Sequence, residues 1–308
     1  MQLQPVICAD IGGSFIKFGV STAFGQVQFL EQRPNPATDW QALCHTLAEL
    51  ITCHRSQYPD DAPVAISTTG VVDRQQDRVT AGNISAYQGH RIQYELSQCL
   101  GRVVRVANDA DCFTLAEALV GHAREQPIVL GAIIGTGIGG GLVINGQIIE
   151  GRNGITAEWG HAPITRTVIT INHQPITIAR QPCGCGQTGC LDTLAGARGL
   201  ERLHQLLHHQ TLDSRAIIKH WHAGQLQASQ TIDGWLQIIS EPLAYTLNIL
   251  GASRVVVGGG LAEETALIRQ LDRAVRLLTL TGTEQPLIVP GKFYQDGGLI
   301  GASLLVRQ

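Results

Sequence analysis

The chain has 308 residues, of which 44% are hydrophobic and 15% are charged, with a formal net charge of -3. A length of this order is typical of about two domains, and the composition excludes disorder on a large scale. No polybasic segment is present, which argues against binding by neutralisation of nucleic-acid phosphates, so we expect no nucleic-acid partner.

The N-terminal sequence and the apolar runs bear on location. The first residues show no basic segment followed by an apolar run, and glycines or polar residues interrupt the apolar runs before about 18 residues. We therefore expect no secretory signal and no membrane partner, and we predict a cytoplasmic protein. In that compartment most of the eight cysteines would be reduced thiols.

Strands and helices alternate in the predicted elements of the first part of the chain. Residues 5–11 form a predicted buried strand, and residues 15–20 resume an extended pattern after Gly12 and Gly13. This pattern predicts a hairpin instead of a strand-to-helix turn. Apolar spacing predicts a helix from Asp39, its N-cap, to His54. Further predicted elements are strands over 64–67 and 103–107 and a helix over 109–120.

A strand is predicted over residues 128–134, and its end leads into a second hairpin of strands and glycines over residues 133–149. Asn145-Gly146 is a strong turn signal within it. The repetition predicts two related α/β domains that face a cleft. Residues 165–182, rich in Thr and Ile, predict a surface excursion. Beyond Ala195 we expect mostly helix, with a strand over 253–257 and a helix over 263–278.

Asp10 precedes the first glycine turn, which consists of Gly12, Gly13 and Ser14 and is followed by Lys17. A carboxylate at a strand end, followed by glycines whose backbone N–H groups can approach a ligand, suits a Mg²⁺–phosphate complex. The alternative is an ordinary hairpin with a surface aspartate, and this segment alone leaves both open.

The second glycine turn begins with Gly135-Thr136-Gly137, and with Gly140 it matches the dinucleotide-binding pattern G-x-G-x-x-G. That pattern needs a helix directly after the glycines, whereas residues 142–146 continue as strand and hairpin turn. The dinucleotide-binding interpretation therefore fails on context. A glycine turn between strands can still hold phosphates through its amides, and so many glycines would weaken a purely structural strand.

Asn108-Asp109 lies where a predicted apolar strand ends and a helix begins. One interpretation is an aspartate that caps the helix N-terminus, which is common. The other is a general base at the carboxyl end of a strand. The dipeptide alone favours the cap.

Cys183, Cys185 and Cys190 lie close together in a glycine-rich segment. Three thiolates at this spacing need a compensating cation, and Zn²⁺ is the usual one. A tetrahedral site requires a fourth ligand, for which His161 is the best candidate nearby in sequence. Reduced free cysteines and a redox C-x-C pair are the alternatives. Glu158 precedes His161 by three residues, so both side chains could point to one ligand.

Together these segments resemble the ROK family (repressors, open reading frames and kinases), which contains bacterial sugar kinases. The matching segments, in family order across essentially the whole chain, are ADIGGSFIKFGV, STTGVVD, NDADCFTLAEAL, IGTGIGGGLVINGQIIEG, ITAEWGHAPI, CGCGQTGCLD, VVVGGGL and QDGGLIGASLL. The resemblance implies an α/β protein with a two-lobed actin-like ATPase or hexokinase (ribonuclease H-like) fold, a central cleft and a zinc-binding loop. It implies a small lobe of residues 1–112 plus 296–308 and a large lobe of residues 113–295.

The resemblance also implies roles for individual residues. Asp109 would be the catalytic base, taking the proton from a sugar hydroxyl as it attacks the γ-phosphate of ATP. Mg²⁺ would accompany ATP, and Zn²⁺ would orient a loop that contacts the sugar. The residues expected to bind the nucleotide are Asp10, Gly12, Gly13, Ser14, Lys17, Gly135, Thr136, Gly137, Gly258 and Gly259. The residues expected to contact the sugar are Thr69, Gly70, Asn83, Asn108, Asp109, Glu158, His161 and Asp192. The residues expected to hold zinc are His161, Cys183, Cys185 and Cys190.

The activity implied is ATP-dependent phosphorylation of the 6-hydroxyl of a hexose. The long interval between His161 and Cys183, together with the forms of the segments around Glu158 and Asn108, favours N-acetyl-D-glucosamine, with N-acetylmannosamine and glucose as alternatives. Two departures from the family pattern bear on the sugar preference. Thr69 stands before Gly70 where many family sugar kinases have Pro, and Asp192 stands where the family usually has Glu.

Two other function classes are weighed against the kinase. Family regulators carry a DNA-binding domain before the first glycine turn, and only nine residues precede Asp10. A catalytically silent sugar-binding protein is disfavoured because Asp10, Asp109 and both glycine turns are retained. We expect a sugar and ATP as small-molecule partners, and a homodimer after the habit of the family, with the apolar residues of 165–182 as weak support.

Overall fold

The computed structural model describes residues 3–280 and 284–307 as alternating strands and helices. The strands are β1 (Val6–Ile11), β2 (Phe15–Ala23), β3 (Gln26–Pro34), β4 (Val64–Thr68), β5 (Val71–Asp73), β6 (Arg78–Thr80), β7 (Val104–Asn108), β8 (Ile128–Ile134), β9 (Ile138–Ile144), β10 (Gln147–Ile148), β11 (Val168–Ile171), β12 (Gln174–Thr177), β13 (Arg254–Gly258) and β14 (Ile288–Pro290). The helices are α1 (Trp40–Cys53), α2 (Ile92–Leu100), α3 (Asp109–Val120), α4 (Asp192–Ala195), α5 (Ala197–His208), α6 (Ser214–His222), α7 (Leu226–Leu250), α8 (Thr265–Arg276) and α9 (Gly297–Leu305).

The glycine hairpin predicted at the start of the chain is confirmed, because β1 and β2 pair antiparallel with Asp10 opposite Lys17. The α1 helix is also confirmed together with its cap. The Asp39 side chain accepts a hydrogen bond from the Ala42 N–H, and the buried face of α1 contains Leu43, Leu47 and other apolar residues. This amphipathic spacing is what places α1 on the sheet.

Two five-stranded sheets have the same topology: when the strands of each sheet are counted along the chain, the spatial order in both is third, second, first, fourth, fifth. The first sheet is ordered β3-β2-β1-β4-β7 and the second β10-β9-β8-β13-β14. In the first sheet β4 pairs parallel with β1 and β7, and in the second β13 pairs parallel with β8 and β14. In each sheet the strand before the glycine turn is central, and apart from Asp10 in β1 its residues are apolar, as a strand covered on both faces requires. The predicted repetition of a strand–glycine turn–strand unit is confirmed.

By its internal contacts the chain divides into two units. The first consists of Met1–Pro127, Gly141–Thr156 and Gln295–Gln308, and the second of Ile128–Gly140 and Ala157–Tyr294. This division differs from the boundaries expected at residues 112/113 and 295/296, because it assigns 113–127 and 141–156 to the first unit. The packing of α3 on α9 accounts for part of the difference. A Cβ at Gly297 would lie 2.6 Å from the Phe113 ring, so α3 and α9 pack closely together.

Each unit has its own apolar core. In the first unit the core includes Ile7, Phe18 and Leu47, each at most 1% exposed, from β1, β2 and α1. In the second unit Trp235 of α7 is fully buried, and its indole N–H donates a hydrogen bond to the Ala195 carbonyl. Full burial of an apolar side chain of this size stabilises a fold by about 1.5–3 kcal/mol, so these residues hold each unit together.

The surface excursion expected over residues 165–182 is a hairpin of β11 and β12. Its isoleucines Ile169, Ile171 and Ile178 are buried in the core of the second unit, against residues that include those of α7. The expectation of an exposed apolar segment is therefore wrong, since the alternating side chains of β11 pack inward. This segment no longer supports a homodimer.

Across residues 3–280 and 284–307 we find no helix that combines the length and the apolar character that a membrane span requires.

Candidate functional site

The first glycine turn is held in shape by backbone and asparagine hydrogen bonds. The Gly12 N–H donates to the Phe15 carbonyl at 2.9 Å, and the Asn35 side-chain amide donates to the Gly12 carbonyl at 2.7 Å. The Asn35 N–H donates to the Ser14 carbonyl at 2.9 Å. A Cβ at Gly13 would lie 2.7 Å from Asn83 Nδ2, so Asn83 approaches the turn closely and would have to shift to admit a side chain there. Asn35, which no sequence motif marked, thus fixes the turn.

Asp10 stands directly before this turn, against the start of α9. The Ser67 hydroxyl donates to Asp10 Oδ1 at 2.7 Å, and a Cβ at Gly298 would lie 2.6 Å from the same oxygen. Burial raises the pKa of Asp10 above the usual range, while the Ser67 hydrogen bond and the Lys17 charge act in the opposite direction. The carboxylate is therefore held in place by one donor.

Lys17, expected on the phosphates, has its ammonium group against the segment before α9. Lys17 Nζ donates to the Gln295 carbonyl at 2.9 Å and to Asp296 Oδ1 at 3.2 Å. It therefore tethers the segment that leads into α9. The sequence separation of 278 residues explains why no local pattern predicted this contact.

The helix α3 is capped by Asn108 and not by Asp109. Asn108 Oδ1 accepts hydrogen bonds from the Ala110 N–H at 2.8 Å and the Asp111 N–H at 3.2 Å. Asp109 is the first residue of the helix, and its Oδ1 accepts from the Ala110 N–H at 2.9 Å. The cap interpretation thus belongs to the neighbouring residue, which leaves the Asp109 carboxylate available for chemistry.

Burial and, to a smaller extent, the negative charge of Asp10 together raise the pKa of Asp109 to about 6. The hydrogen bond from the Ala110 N–H opposes this shift. A carboxylate with a pKa near neutrality is basic enough to accept a proton and is still ionised at pH 7. This is the property that general-base catalysis needs.

Four residues expected to contact a sugar lie in two hydrogen-bonded pairs of the first unit. The Thr69 hydroxyl donates to Asn83 Oδ1 at 3.2 Å, and the Asn108 amide donates to the Gly70 carbonyl at 2.8 Å. Gly70 has φ +103°, and a Cβ there would lie 2.6 Å from the Thr80 carbonyl, so the turn requires glycine. Oδ1 of Asn108 caps α3 and one hydrogen of its side-chain NH2 group is directed to Gly70. Asn108 therefore offers a ligand the second hydrogen of that NH2 group.

In the second unit, the glycine turn of Gly135 and Thr136 is clamped from two sides. The Gly135 N–H donates to the Gly137 carbonyl at 3.0 Å, and the Ala197 N–H donates to the Gly135 carbonyl at 2.8 Å. On the other side Gly259, with φ +83°, approaches so closely that a Cβ would lie 2.7 Å from the Gly135 nitrogen. Gly259 therefore packs behind the turn as a support.

A cavity of about 740 Å³ opens beside this turn within the second unit. Gly135 and Thr136 form part of its wall, and Gly260 contributes from the segment after β13, where Gly258 and Gly259 were expected. The rest of the wall includes Ser214, Arg215, Ile218, Lys219 and His222 of α6, and Glu263 and Glu264.

Opposite charges meet in the wall of this cavity. His222 Nε2 lies 2.8 Å from Glu264 Oε2, and Lys219 lines the same cavity one helical turn before His222. The sequence contains no motif for α6, because an ordinary amphipathic helix supplies these side chains, so sequence reasoning missed them.

The four predicted zinc ligands come together in the second unit. One ligand atom from each of His161, Cys183, Cys185 and Cys190 lies within 4.8 Å of all the others. Cys183 Sγ is 3.7 Å from His161 Nδ1, and Cys185 Sγ is 3.6 Å from Cys190 Sγ. A tetrahedral site with Zn–S bonds of about 2.3 Å requires ligand separations of roughly 3.7 Å. The arrangement fits zinc and contains no disulfide.

Glu158 lies on the other side of the His161 ring. His161 Nε2 is 3.9 Å from Glu158 Oε2, while Nδ1 faces the thiols. Burial raises the pKa of Glu158, and the His161 charge acts against that shift. The Trp159 indole N–H donates to the Gly139 carbonyl at 2.8 Å and so fixes the short helix that bears these residues. The two predicted side chains are therefore neighbours.

Asp192, expected on the sugar, binds the second glycine turn. Its Oδ1 accepts a hydrogen bond from the Ile138 N–H at 2.6 Å. No local pattern predicts this contact, since the two residues are 54 positions apart.

Comparisons with known proteins agree on one group. A model of the ROK family matches residues 6–308. The chain is 35% identical over 297 residues to a protein from Escherichia fergusonii named N-acetyl-D-glucosamine kinase, covering 96% of this chain and 97% of the relative. It is 33% identical over 296 residues to a protein of the same name from Salmonella arizonae, with the same coverage. The structure is similar to that of the ROK hexokinase from Thermus thermophilus, with a TM-score of 0.81, 28% identity, and coverage of 98% and 97%.

Proposed function

The chain belongs to the ROK family, and from that premise we propose that it is an ATP-dependent sugar kinase that phosphorylates the 6-hydroxyl of N-acetyl-D-glucosamine. The observation that carries the proposal is the carboxylate of Asp109, which lies beside Asp10. The pKa of Asp109 is raised to about 6, and the neighbouring residue Asn108, instead of Asp109, caps helix α3. The names of the relatives from Escherichia fergusonii and Salmonella arizonae support the choice of sugar.

Asp109 is the proposed general base. In the ionised form the free carboxylate oxygen of Asp109 accepts the proton of the sugar 6-hydroxyl. Loss of this proton makes the hydroxyl oxygen a better nucleophile toward the γ-phosphorus of ATP. Asp109 Oδ1 is oriented by the Ala110 N–H, so the side chain is positioned before substrate arrives. Phosphoryl transfer asks for little more from a protein than a base, positioning and charge neutralisation.

The groups that hold the sugar are short and polar, as a neutral hexose requires. Thr69 and Asn83 form one pair of partners, and the free amide hydrogen of Asn108 and the Gly70 turn form another. In the second unit Glu158 and His161 are the proposed partners of further sugar hydroxyls.

Phosphates are assigned to the two glycine turns, and the adenosine part of ATP to the cavity of about 740 Å³. That volume lies within the range of small-molecule sites. In the first unit Asp10, beside the turn of Gly12 and Gly13, offers the carboxylate oxygen that Mg²⁺ prefers. Bound Mg²⁺ would neutralise charge on the phosphates.

His161, Cys183, Cys185 and Cys190 would hold Zn²⁺ in a structural role. The donor set fits the metal, since three thiolates and an imidazole are common in closed structural zinc sites. His161 would supply Nδ1, the ring nitrogen on the side of the thiols, and its Nε2, 3.9 Å from Glu158 Oε2, would stay on the side of Glu158.

The test is kcat/KM for N-acetylglucosamine, N-acetylmannosamine and glucose under identical ATP and Mg²⁺. We expect N-acetylglucosamine to be best and glucose to be slower but measurable, because one small group in a pocket discriminates by about 1–3 kcal/mol. If another of the three sugars is best, the substrate assignment fails and the kinase assignment stands. Nucleotide binding without turnover of any sugar would favour the silent sugar-binding protein.

A cytoplasmic location is part of the same proposal, because ATP is its phosphoryl donor. The homodimer stays a prediction of the family resemblance. Light scattering that gives 33.1 kDa, the mass of one chain, would contradict it.

A further inference from the structure

The second glycine turn has a carboxylate contact that the proposed mechanism does not use. Asp192 Oδ1 accepts the Ile138 N–H at 2.6 Å. The three atoms that a Cβ at Gly137 would meet first all belong to the Asp192 carboxyl group. The carboxylate therefore occupies the space beside Gly137 and takes the backbone donor directly after it.

The segment that begins with Asp192 is docked along the same turn. The Ala197 N–H donates to the Gly135 carbonyl at 2.8 Å, and a Cβ at Gly196 would lie 2.7 Å from the Thr136 carbonyl. Asp192 thus fixes one end of the turn, and the start of α5 fixes the other.

The other side of Asp192 is anchored to the cysteine loop. Cys190 lies two residues earlier and forms an isolated antiparallel β-bridge with Pro163 through the backbone. The Leu191 N–H donates a hydrogen bond to the Ala162 carbonyl at 2.9 Å. The Thr193 hydroxyl donates to the Cys190 carbonyl at 2.8 Å. The position of the Asp192 carboxylate is therefore set by the loop that contains the zinc ligands.

We propose that Asp192 is a positioning residue that couples the Cys/His cluster to the second glycine turn and so sets nucleotide affinity. The proposal rests on the proposed function, in which Gly135, Thr136 and Gly137 hold phosphates of ATP. A backbone N–H that loses a carboxylate acceptor turns toward other partners, so the turn loses the shape that presents its amides. A role for Asp192 as a sugar contact makes the opposite prediction, a higher KM for sugar with unchanged nucleotide binding.

The test measures binding of a non-hydrolysable ATP analogue with Mg²⁺, without sugar, by isothermal titration calorimetry. We expect Asp192→Ala to raise the Kd about tenfold, in line with the loss of one hydrogen bond to a charged acceptor. Asp192→Asn keeps an oxygen acceptor for the Ile138 N–H and should stay within about threefold of the parent chain. Asp233→Ala, which removes an exposed carboxylate of α7 in the same unit, is the matched control and should leave the Kd unchanged.

A second variant approaches the same contact from the opposite side. Gly137→Ala places a methyl group against the Asp192 carboxyl and should raise the Kd in the parent chain. In the Asp192→Ala background the methyl group has space, so its added effect should be smaller. Strictly additive effects would overturn the proposal.

Steady-state kinetics separates the proposal from its alternative. We expect Asp192→Ala to raise KM for ATP more than KM for N-acetylglucosamine. Unchanged analogue binding with a raised sugar KM would overturn the inference and return Asp192 to the sugar. A parent chain that binds no ATP analogue would instead overturn the proposed function itself, so the two failures are distinguishable.

Discussion

The two glycine turns share a position in their sheets and differ in what surrounds them. Aligned on the strand that precedes each turn, Ala9-Asp10-Ile11-Gly12-Gly13 corresponds to Ala132-Ile133-Ile134-Gly135-Thr136. The first turn has a carboxylate built into its strand, held by the Ser67 hydroxyl, whereas the second has Ile133 at that position. Its carboxylate, Asp192, arrives from a different segment and binds the backbone. The same strand–glycine turn–strand unit thus has a carboxylate in its strand in the first unit. In the second unit a carboxylate from a distant segment holds the backbone of the turn.

The strongest test of this comparison is the removal of the base. Asp109→Asn should lower kcat by about 10²- to 10⁴-fold, because an amide cannot accept the proton of the sugar hydroxyl. The analogue Kd should change little, because the proposed partner of Asp109 is the sugar hydroxyl, whereas the adenosine part of ATP is assigned to the cavity of the second unit. Kinetics with ATP and N-acetylglucosamine, alongside calorimetry, measures both quantities.

Helix capping supplies the control for this variant. Because Asn108 caps α3, Asp109→Asn should leave the far-UV circular dichroism unchanged. A variant that keeps near-parental kcat would remove Asp109 from the mechanism. Asn108→Ala, in contrast, should lower the free energy of unfolding by about 1 kcal/mol through the lost cap.

The zinc cluster gives the second test, because it lies in the unit where the backbone is clamped. We expect one zinc per chain, and we expect Cys183→Ser to lower zinc content and to weaken both sugar and nucleotide binding. The sugar effect follows from His161, which shares the cluster, and the nucleotide effect follows from Asp192. Metal analysis of protein purified without chelator, with calorimetry for both ligands, measures these effects.

Cys53→Ser is the matched control for this prediction, because Cys53 is an exposed cysteine of the first unit. It should keep the full zinc content. Protein without zinc before any substitution would contradict the site. Full zinc in a His161→Ala variant would contradict only the fourth ligand.

The sequence predicted the parts of this comparison that depend on local pattern. The strand–glycine turn–strand units, the capped helix α1 and the four-residue metal cluster each depend on spacing or residue type that is visible in the chain. The individual residues around the turns depend on contacts between distant segments. Lys17, for example, binds Asp296, which is 279 residues away. No local pattern contains that information.

One error came from a single-residue shift, and one contact depends on residues far apart in the sequence. The cap predicted at Asp109 lies at Asn108, since both residue types accept helix N–H groups equally well. The assignment of Asp192 to the sugar stays a prediction of the family pattern. In this chain the shorter side chain meets the Ile138 N–H.

The third test is the pH dependence of Asp109. Its pKa of about 6 predicts that kcat falls tenfold per pH unit well below pH 6, as the base becomes protonated. The same shift affects stability. A folded pKa above the usual 3.8 means that protonation stabilises the fold at low pH, and this stabilisation is lost as pH rises through about 6. Asn at position 109 stays neutral, so the variant should be more stable than the parent above pH 6.

The expected gain for Asp109→Asn is about 1–2 kcal/mol at pH 7.5, shrinking toward pH 4. Urea denaturation at both pH values measures it. A gain that is equal at both pH values would show that the effect is not linked to this proton, and a loss at pH 7.5 would contradict the direction of the pKa shift.

The smallest expected effect concerns the position where the two turns differ in side chain, Gly13 against Thr136. A Cβ at Gly13 would lie 2.7 Å from Asn83 Nδ2, the end of an exposed side chain that can shift. Gly13→Ala should therefore move Asn83 away from Thr69 and raise the KM for N-acetylglucosamine about two- to fivefold, with kcat nearly unchanged. In an Asn83→Ala background the same substitution should have no further effect, because the conflict is gone. Thr136→Ala, in the unit that clamps its turn through the backbone, should leave the sugar KM unchanged. An increase of that KM equal to the one from Gly13→Ala would erase the difference between the two turns.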